Sequence, residues 1–260
     1  MAKRPRSRYR ELAPPPALAP YVACLWVQEI GDGDEVYDQP VLPDASIDLI
    51  SGGGNVVVAG PATRPFTASI APGSLTVAIR FRPGAAPPVL GVTAAELRDQ
   101  KVTVGELWGA AGETIAVRTT DADAWNKRLA VLVDGLVGRL DDAGPADRVA
   151  TGIAATLAEH PGQPAHRLAD DAALSERQLR RRVEAAVGYS PRTLARILRF
   201  QRFLRAARSS QHHRRDLAGL AAEIGYADQS HLTRESSRLG GLGPAALLDW
   251  ERERLGGAQT

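Results

Sequence analysis

Between residues 20 and 90 the apolar positions come in short runs rich in β-branched and aromatic side chains: 21–30, 47–50, 55–59 and 75–81. Gly52-Gly53-Gly54, Gly60-Pro61, Pro72-Gly73 and Pro83-Gly84 punctuate them. Short runs bounded by Gly and Pro predict strands, and strands at this spacing predict a small antiparallel barrel or sandwich. The period then lengthens. Thr93 with Glu96, and Thr103 with Glu106, carry the spacing of a capping box, in which hydroxyl and carboxylate satisfy orphan amides at a helix start. From 123 to 140, Trp125, Leu129, Leu132, Val133, Leu136, Val137 and Leu140 recur at three- and four-residue steps, one apolar stripe on a helix. Such a stripe either packs on its own β domain or pairs with a second copy, so residues 120–140 are a candidate homodimer surface.

Asp141-Asp142-Ala143-Gly144-Pro145 breaks the helical pattern, and 141–147 reads as a linker. It divides an α+β chain into a β-rich effector or dimerisation domain with trailing helices, 1–140, and an all-α domain, 148–256. The second domain opens on a helix lined by Val149, Ile153 and Leu157 that ends near His160-Pro161-Gly162.

Two stretches of the all-α domain repeat one device. In each, a short apolar helix meets a tight turn, and a second helix comes after a polar cap. In the first, a supporting helix spans 167–172, Ser175 caps the next helix with Gln178 three residues on, and Leu179 and Val183 face inward. Arg177, Arg180 and Arg181 take the opposite side, and Gly188 ends the helix. In the second, Asp216 caps a helix with Leu217, Leu220, Ala221 and Ile224. Gly225 ends it, Tyr226 fills the turn, and Asp228 caps a helix whose first turns expose Gln229, Ser230, His231 and Arg234 around an inward Leu232. This is the pattern of a helix-turn-helix, whose second helix enters a DNA major groove. Between the two, Ser190-Pro191 opens a helix to about Arg208, with Pro at the favoured first position. Leu194, Ile197, Leu198 and Leu204 form its core side; Arg192, Arg196, Arg199, Arg202 and Arg205 form a charged side, of which Arg192 and Arg196 are candidates for the DNA backbone. His212-His213 reads as a polar interhelix turn.

Charge sharpens this picture. The net +2 divides into −3 for residues 1–150 and +5 for 151–260. Within 175–215 stand 12 arginines against Glu176 and Glu184. Arginine forks onto phosphate or guanine, so such density is a polyanion footprint or a solvated helix face. The basic start, Met1 to Arg10, is either an arm for DNA phosphates or a frayed terminus; it lacks the apolar stretch of a signal peptide. No apolar run reaches membrane-spanning length. The lone cysteine, Cys24, excludes an intramolecular disulfide framework and a Cys-rich zinc site, and its neighbours Val22, Leu25 and Trp26 suggest a buried thiol. A soluble, reducing, cytoplasmic and nucleoid-associated setting is the expectation, with no metal or cofactor.

The segments Leu174-Ser-Glu-Arg-Gln-Leu179, Gly188-Tyr-Ser-Pro191, Ile224-Gly-Tyr-Ala-Asp-Gln-Ser-His-Leu-Thr-Arg234 and Gly241-Leu-Gly-Pro244, in this order, resemble the DNA-binding domain of the bacterial AraC/XylS regulators over about residues 160–255. The resemblance implies seven helices, two helix-turn-helix units bridged by a long helix, and recognition helices in successive major grooves. It carries DNA contacts onto Arg177, Arg180 and Arg181 and onto Gln229, Ser230, His231 and Arg234. The chain departs from the family at Val183 and Ser236, where an aromatic is usual, and at Gly243, where Thr is usual. Pro43-Asp-Ala-Ser-Ile-Asp-Leu-Ile50, Gly60-Pro61, Ile79-Arg-Phe-Arg-Pro-Gly84 and the stretch 102–107 resemble an uncharacterised β-rich domain that precedes such DNA-binding domains.

These residues imply a transcription regulator with double-stranded DNA as partner and a signal, a small-molecule effector among the candidates, received at the N-terminal domain. The alternative is an N-terminal domain that is purely a protein-interaction or dimerisation module. Enzyme chemistry would have to come from Asp44, Asp48, Arg80 and Arg82, which have no histidine near them and fit turns or ion pairs better.

Overall fold

The computed structural model describes residues 7–33, 35–209 and 216–256. Most of the basic start, and His212-His213, lie outside the described residues.

The N-terminal part contains β1 (Ser7–Leu12), β2 (Val22–Ile30), β3 (Tyr37–Val41), β4 (Asp48–Gly52), β5 (Asn55–Ala59), β6 (Phe66–Ile70), β7 (Leu75–Phe81), α1 (Pro87–Leu90), β8 (Lys101–Thr103), α2 (Val104–Trp108), α3 (Ala110–Asp121) and α4 (Trp125–Val137). Six strands form one antiparallel sheet in the order β1-β2-β7-β4-β5-β8, and β3 pairs with β6 as a separate ribbon. The β-rich domain expected from the sequence is therefore an open sheet with a ribbon beside it. The runs at 55–59 and 75–81 coincide with β5 and β7. β1, β3 and β6 do not stand out in the chain, because SRYREL, YDQPV and FTASI lack the clean alternation of a half-buried strand, and each is largely exposed or half-buried.

Two local expectations change. Thr93 and Glu96 form the reciprocal bonds of a capping box, Glu96 Oε2 accepting from the Thr93 amide at 2.8 Å, but the residues after Thr93 form a chain of turns rather than a helix. Thr103 and Glu106 make the same box and do start α2. β8 lies inside the stretch expected to be helical; Val57 to Ala59 of β5 pair with it.

The stripe on α4 packs at home. Leu129 is buried, Leu132 and Leu136 are wholly so, and all three join a core with Leu49, Val58, Val77 and Ile79. These three leucines therefore pack within the protomer, while Val137 at the end of the stripe stays exposed. Burying each leucine contributes about 2 kcal/mol.

The second part comprises α5 (Arg148–Glu159), α6 (Ala165–Asp171), α7 (Glu176–Val187), α8 (Pro191–Ser209), α9 (Leu217–Ile224), α10 (Gln229–Gly240) and α11 (Pro244–Gly256), seven helices among the described residues. Their core gathers Leu157, Leu168, Leu179, Leu194, Phe200, Phe203 and Leu232. Ala45, from the loop before β4, is buried in this same core, with Leu42 packed against it.

That loop is one of several ties between the parts. Gln201 donates to the Pro43 carbonyl at 2.7 Å, and the Tyr189 hydroxyl donates to the Ala62 carbonyl at 2.6 Å. The Ala94 amide donates to the Ala185 carbonyl at 2.8 Å, and Arg98 to the Gly188 carbonyl at 3.3 Å. Gly188 has φ +85°, and a Cβ there would lie 2.5 Å from Pro61 Cγ and 2.9 Å from the Ala94 carbonyl oxygen. Glycine both ends α7 in the left-handed region and lets the N-terminal domain approach its end.

Candidate nucleic-acid interface

α7 starts where the sequence places it. The Ser175 hydroxyl accepts from the Gln178 amide, and the Gln178 side chain returns to the Ser175 amide at 3.0 Å. Leu179 and Val183 are fully buried, which turns the opposite stripe outward. Arg177, Arg180 and Arg181 are all exposed on it. They differ in company. Arg180 pairs with Glu184 one turn on, at 2.8 Å, with Arg180 67% exposed; solvent screens such a pair to a fraction of a kcal/mol. Arg181 lies at the edge of a hollow formed with Pro87, Pro88 and Val92 of the N-terminal part and Pro145. Arg182, beside it, is held by Asp147, its Nε and Nη2 donating at 2.8 and 3.0 Å. Asp147 also accepts from the Val149 and Ala150 amides as the cap of α5. Burial opposes its ionisation, but Arg182 and these amides hold its carboxyl below the usual range.

α10 is built the same way. Asp228 accepts from the His231 amide, and Leu232, Glu235, Ser236 and Leu239 turn inward. Gln229, Ser230 and Arg234 are exposed, together with Thr233, Ser237 and Arg238 on the same outward face. His231 sits differently. It is half-buried, its ring meets Tyr226 edge-on at 5.2 Å, and its Nδ1 accepts from the Ala227 amide at 3.4 Å. It braces the turn as well as bordering the surface. Tyr226 fills that turn as expected and is buried.

α8 has 19 residues, about 28 Å at 1.5 Å per residue. Its arginines are not the uniform charged side that the sequence suggested. Arg196, expected at the DNA backbone, makes a two-pronged pair with Glu235, at 2.7 and 2.6 Å. Arg199 donates to the Pro161 carbonyl and lies 5.6 Å from the Tyr226 ring centroid; Arg202 donates to the Glu159 carbonyl. The reason is geometric: α8 runs through the middle of the domain, so cations spaced three and four apart meet the end of α5, the turn after α9 and the inward side of α10. Arg192 and Arg205 remain exposed. Sequence reading overlooked Arg238, which sits one turn beyond Arg234 on the outward side of α10.

The departures from the aromatic pattern are tolerated differently. Val183 is fully buried among apolar neighbours. Ser236 is also fully buried, and its hydroxyl has no hydrogen-bond partner.

The polar cluster of the N-terminal part is an ion-pair network. Arg80 donates to both oxygens of Asp48 at 2.9 and 2.8 Å, Asp44 lies 3.7 Å from it, and Trp26 Nε1 donates to Asp48. Burial raises the Asp44 carboxyl above its ordinary range despite Arg80. Cys24, half-buried rather than buried, has its thiol pushed up to about 11 by burial and by Glu11, which leaves little reactive thiolate. Among the described residues no three His, Cys, Asp or Glu side chains cluster as metal ligands, and no helix is long and apolar enough to cross a membrane.

Residues 10–103 match the family described as a domain of unknown function, DUF6597, and residues 168–249 match the family described as a helix-turn-helix domain. Two crystal structures of ToxT from Vibrio cholerae O395 are similar to the chain. One shares 7% identity at a TM-score of 0.41, covering 95% of this chain and 97% of that one. The other, bound to (E)-4-(8-methylnaphthalen-1-yl)but-3-enoic acid, shares 11% identity at a TM-score of 0.44, covering 96% and 100%. No curated protein matches. With paired, capped helix-turn-helix units in the matched region, the chain carries a C-terminal helix-turn-helix domain of the AraC type behind an N-terminal β-rich domain of the DUF6597 family.

Proposed function

We propose that the protein is a sequence-specific transcription regulator that lays α7 and α10 into successive major grooves of double-stranded DNA. The observation that carries this reading is the matched pair of capped helices, each exposing a polar first turn over a buried apolar face, joined by the rod of α8. A rod of about 28 Å suits heads that must enter grooves about 34 Å apart. Arg177, Arg180 and Arg181 on α7, and Gln229, Ser230 and Arg234 on α10, are the base readers: Arg forks onto guanine and Gln onto adenine. His231 contributes from the rim of α10, and Arg192 contacts the backbone. The domains divide at 141–147.

The N-terminal domain is the seat of regulation. Its ties to Ala185, Gly188 and Tyr189 reach the end of the first recognition helix, so a shift in the loops around residues 62 and 94 moves α7. The hollow beside Arg181 is where a small-molecule signal would act on this seam.

Selection of genomic fragments with the purified protein, followed by titration on the best fragment, tests the reading. Arg177→Ala and Gln229→Ala each weaken the selected site by about 1–3 kcal/mol and leave random duplex untouched. Equal losses on both DNAs would overturn base reading by these residues.

A further inference from the structure

Between the two helix-turn-helix units lies a cleft of about 750 Å³, walled by the Pro161–Ala165 turn, the start of α8 and the inner flank of α10. Its charge is lopsided. Arg192, Arg196, Arg199, Arg238 and His231 line it against one carboxylate, Glu235. That carboxylate is spent: both its oxygens accept from Arg196. Arg199 gives Nη2 to the Pro161 carbonyl, while its Nε, cut off from solvent, has no partner. Arg192 and Arg238 are exposed, with no ion pair among the described residues. Three guanidiniums therefore border one concavity without a counter-charge.

We propose that this cleft is an anion seat for a phosphodiester, taking the backbone phosphate that crosses between the two grooves and gripping it with Arg192 and Arg238 over Arg199. Guanidinium forks match phosphate oxygens, and the cleft runs from the start of α8 to the edge of the outward face of α10, where Arg238 stands. Its role is register: a phosphate held midway fixes both recognition helices against one stretch of duplex, without reading a base. The inference rests on the proposed DNA-binding function and adds to it a contact by Arg238 and a use for Arg199, neither of which that reading assigns.

The test uses the full chain, with Arg192→Gln and Arg238→Gln, both at exposed positions, checked for an unchanged melting temperature. Affinity is titrated against salt on a selected duplex and on random duplex. Each variant is expected to weaken both DNAs by one common factor and to make the slope of log affinity against log salt shallower by about 0.9. Wild-type slopes and affinities in the double variant would overturn the seat; loss confined to the selected duplex would reassign these arginines to base reading. Pyrophosphate, titrated calorimetrically into the free protein, separates the two failures. If the chain binds no DNA, pyrophosphate binding abolished by Arg238→Gln supports an anion seat for a free phosphate compound, and absence of binding overturns the seat itself.

Discussion

Arg196 and Glu235 join the connecting helix α8 to the recognition helix α10 by two parallel hydrogen bonds, 2.7 and 2.6 Å long, with 22% and 11% of their side chains exposed. The pair fixes α10 on the helix that spaces it from α7. Burial opposes the charge on Glu235, but Arg196 outweighs it and holds the carboxyl below the usual glutamate range. A depressed folded-state value stabilises the fold above the unfolded glutamate value and loses that contribution as pH falls through the folded one. The melting temperature of the wild type should therefore fall more steeply below about pH 4.5 than that of Glu235→Gln, which has no such proton to take up. Glu235→Ala, which strands Arg196, is expected to cost about 3 kcal/mol at neutral pH. Parallel pH profiles for wild type and Glu235→Gln would show the pair to be idle.

Gly188 is a point of close approach between the two domains. Its left-handed backbone costs an ordinary residue about 1 kcal/mol, and a methyl group there would run into Pro61 and the Ala94 carbonyl. Gly188→Ala is expected to lose more than that 1 kcal/mol in urea denaturation, and to raise hydrogen exchange at the Ala94 amide, whose acceptor on Ala185 it displaces. An unaltered exchange rate at Ala94 would mean that the two domains do not share this contact in solution.

Ser236 carries a hydroxyl with no partner at a fully buried position. Removing an unsatisfied buried polar group gains about 1 kcal/mol, so Ser236→Ala is expected to raise the urea midpoint. Ser236→Phe, which restores the family's usual ring, is expected to cost about 1–3 kcal/mol, because Phe200, Leu239 and Leu247 are already buried in this core. Stabilisation by Phe would instead reveal a core still short of a side chain.

Much of the local structure was legible in the chain because its causes are local. Ser175 with Gln178, Asp216 and Asp228 satisfy amides within three residues, so the starts of α7, α9 and α10 could be read from spacing alone. Gly188 and Gly225 end α7 and α9 with positive φ for the same reason. The apolar stripe of α4 announced a helix and one buried face, yet periodicity does not name what covers that face. Whether a sheet of the same protomer or a second copy lies over Leu132 is set by contacts with Leu49, Val58 and Ile79, far away in sequence.

The fate of the arginines shows the same division. By itself the sequence determined two capped helix-turn-helix units, a rod between them, and a dense run of cations, because helix periodicity and capping act within a few residues. Only the tertiary structure decided which cations are free. Arg182 is claimed by Asp147, 35 residues away, and Arg196 by Glu235, 39 residues away, while Tyr189 reaches a carbonyl 127 residues back. Such pairings depend on which surfaces the folded core brings together, and an arginine at the right spacing looks the same in the chain whether it meets a carboxylate or solvent.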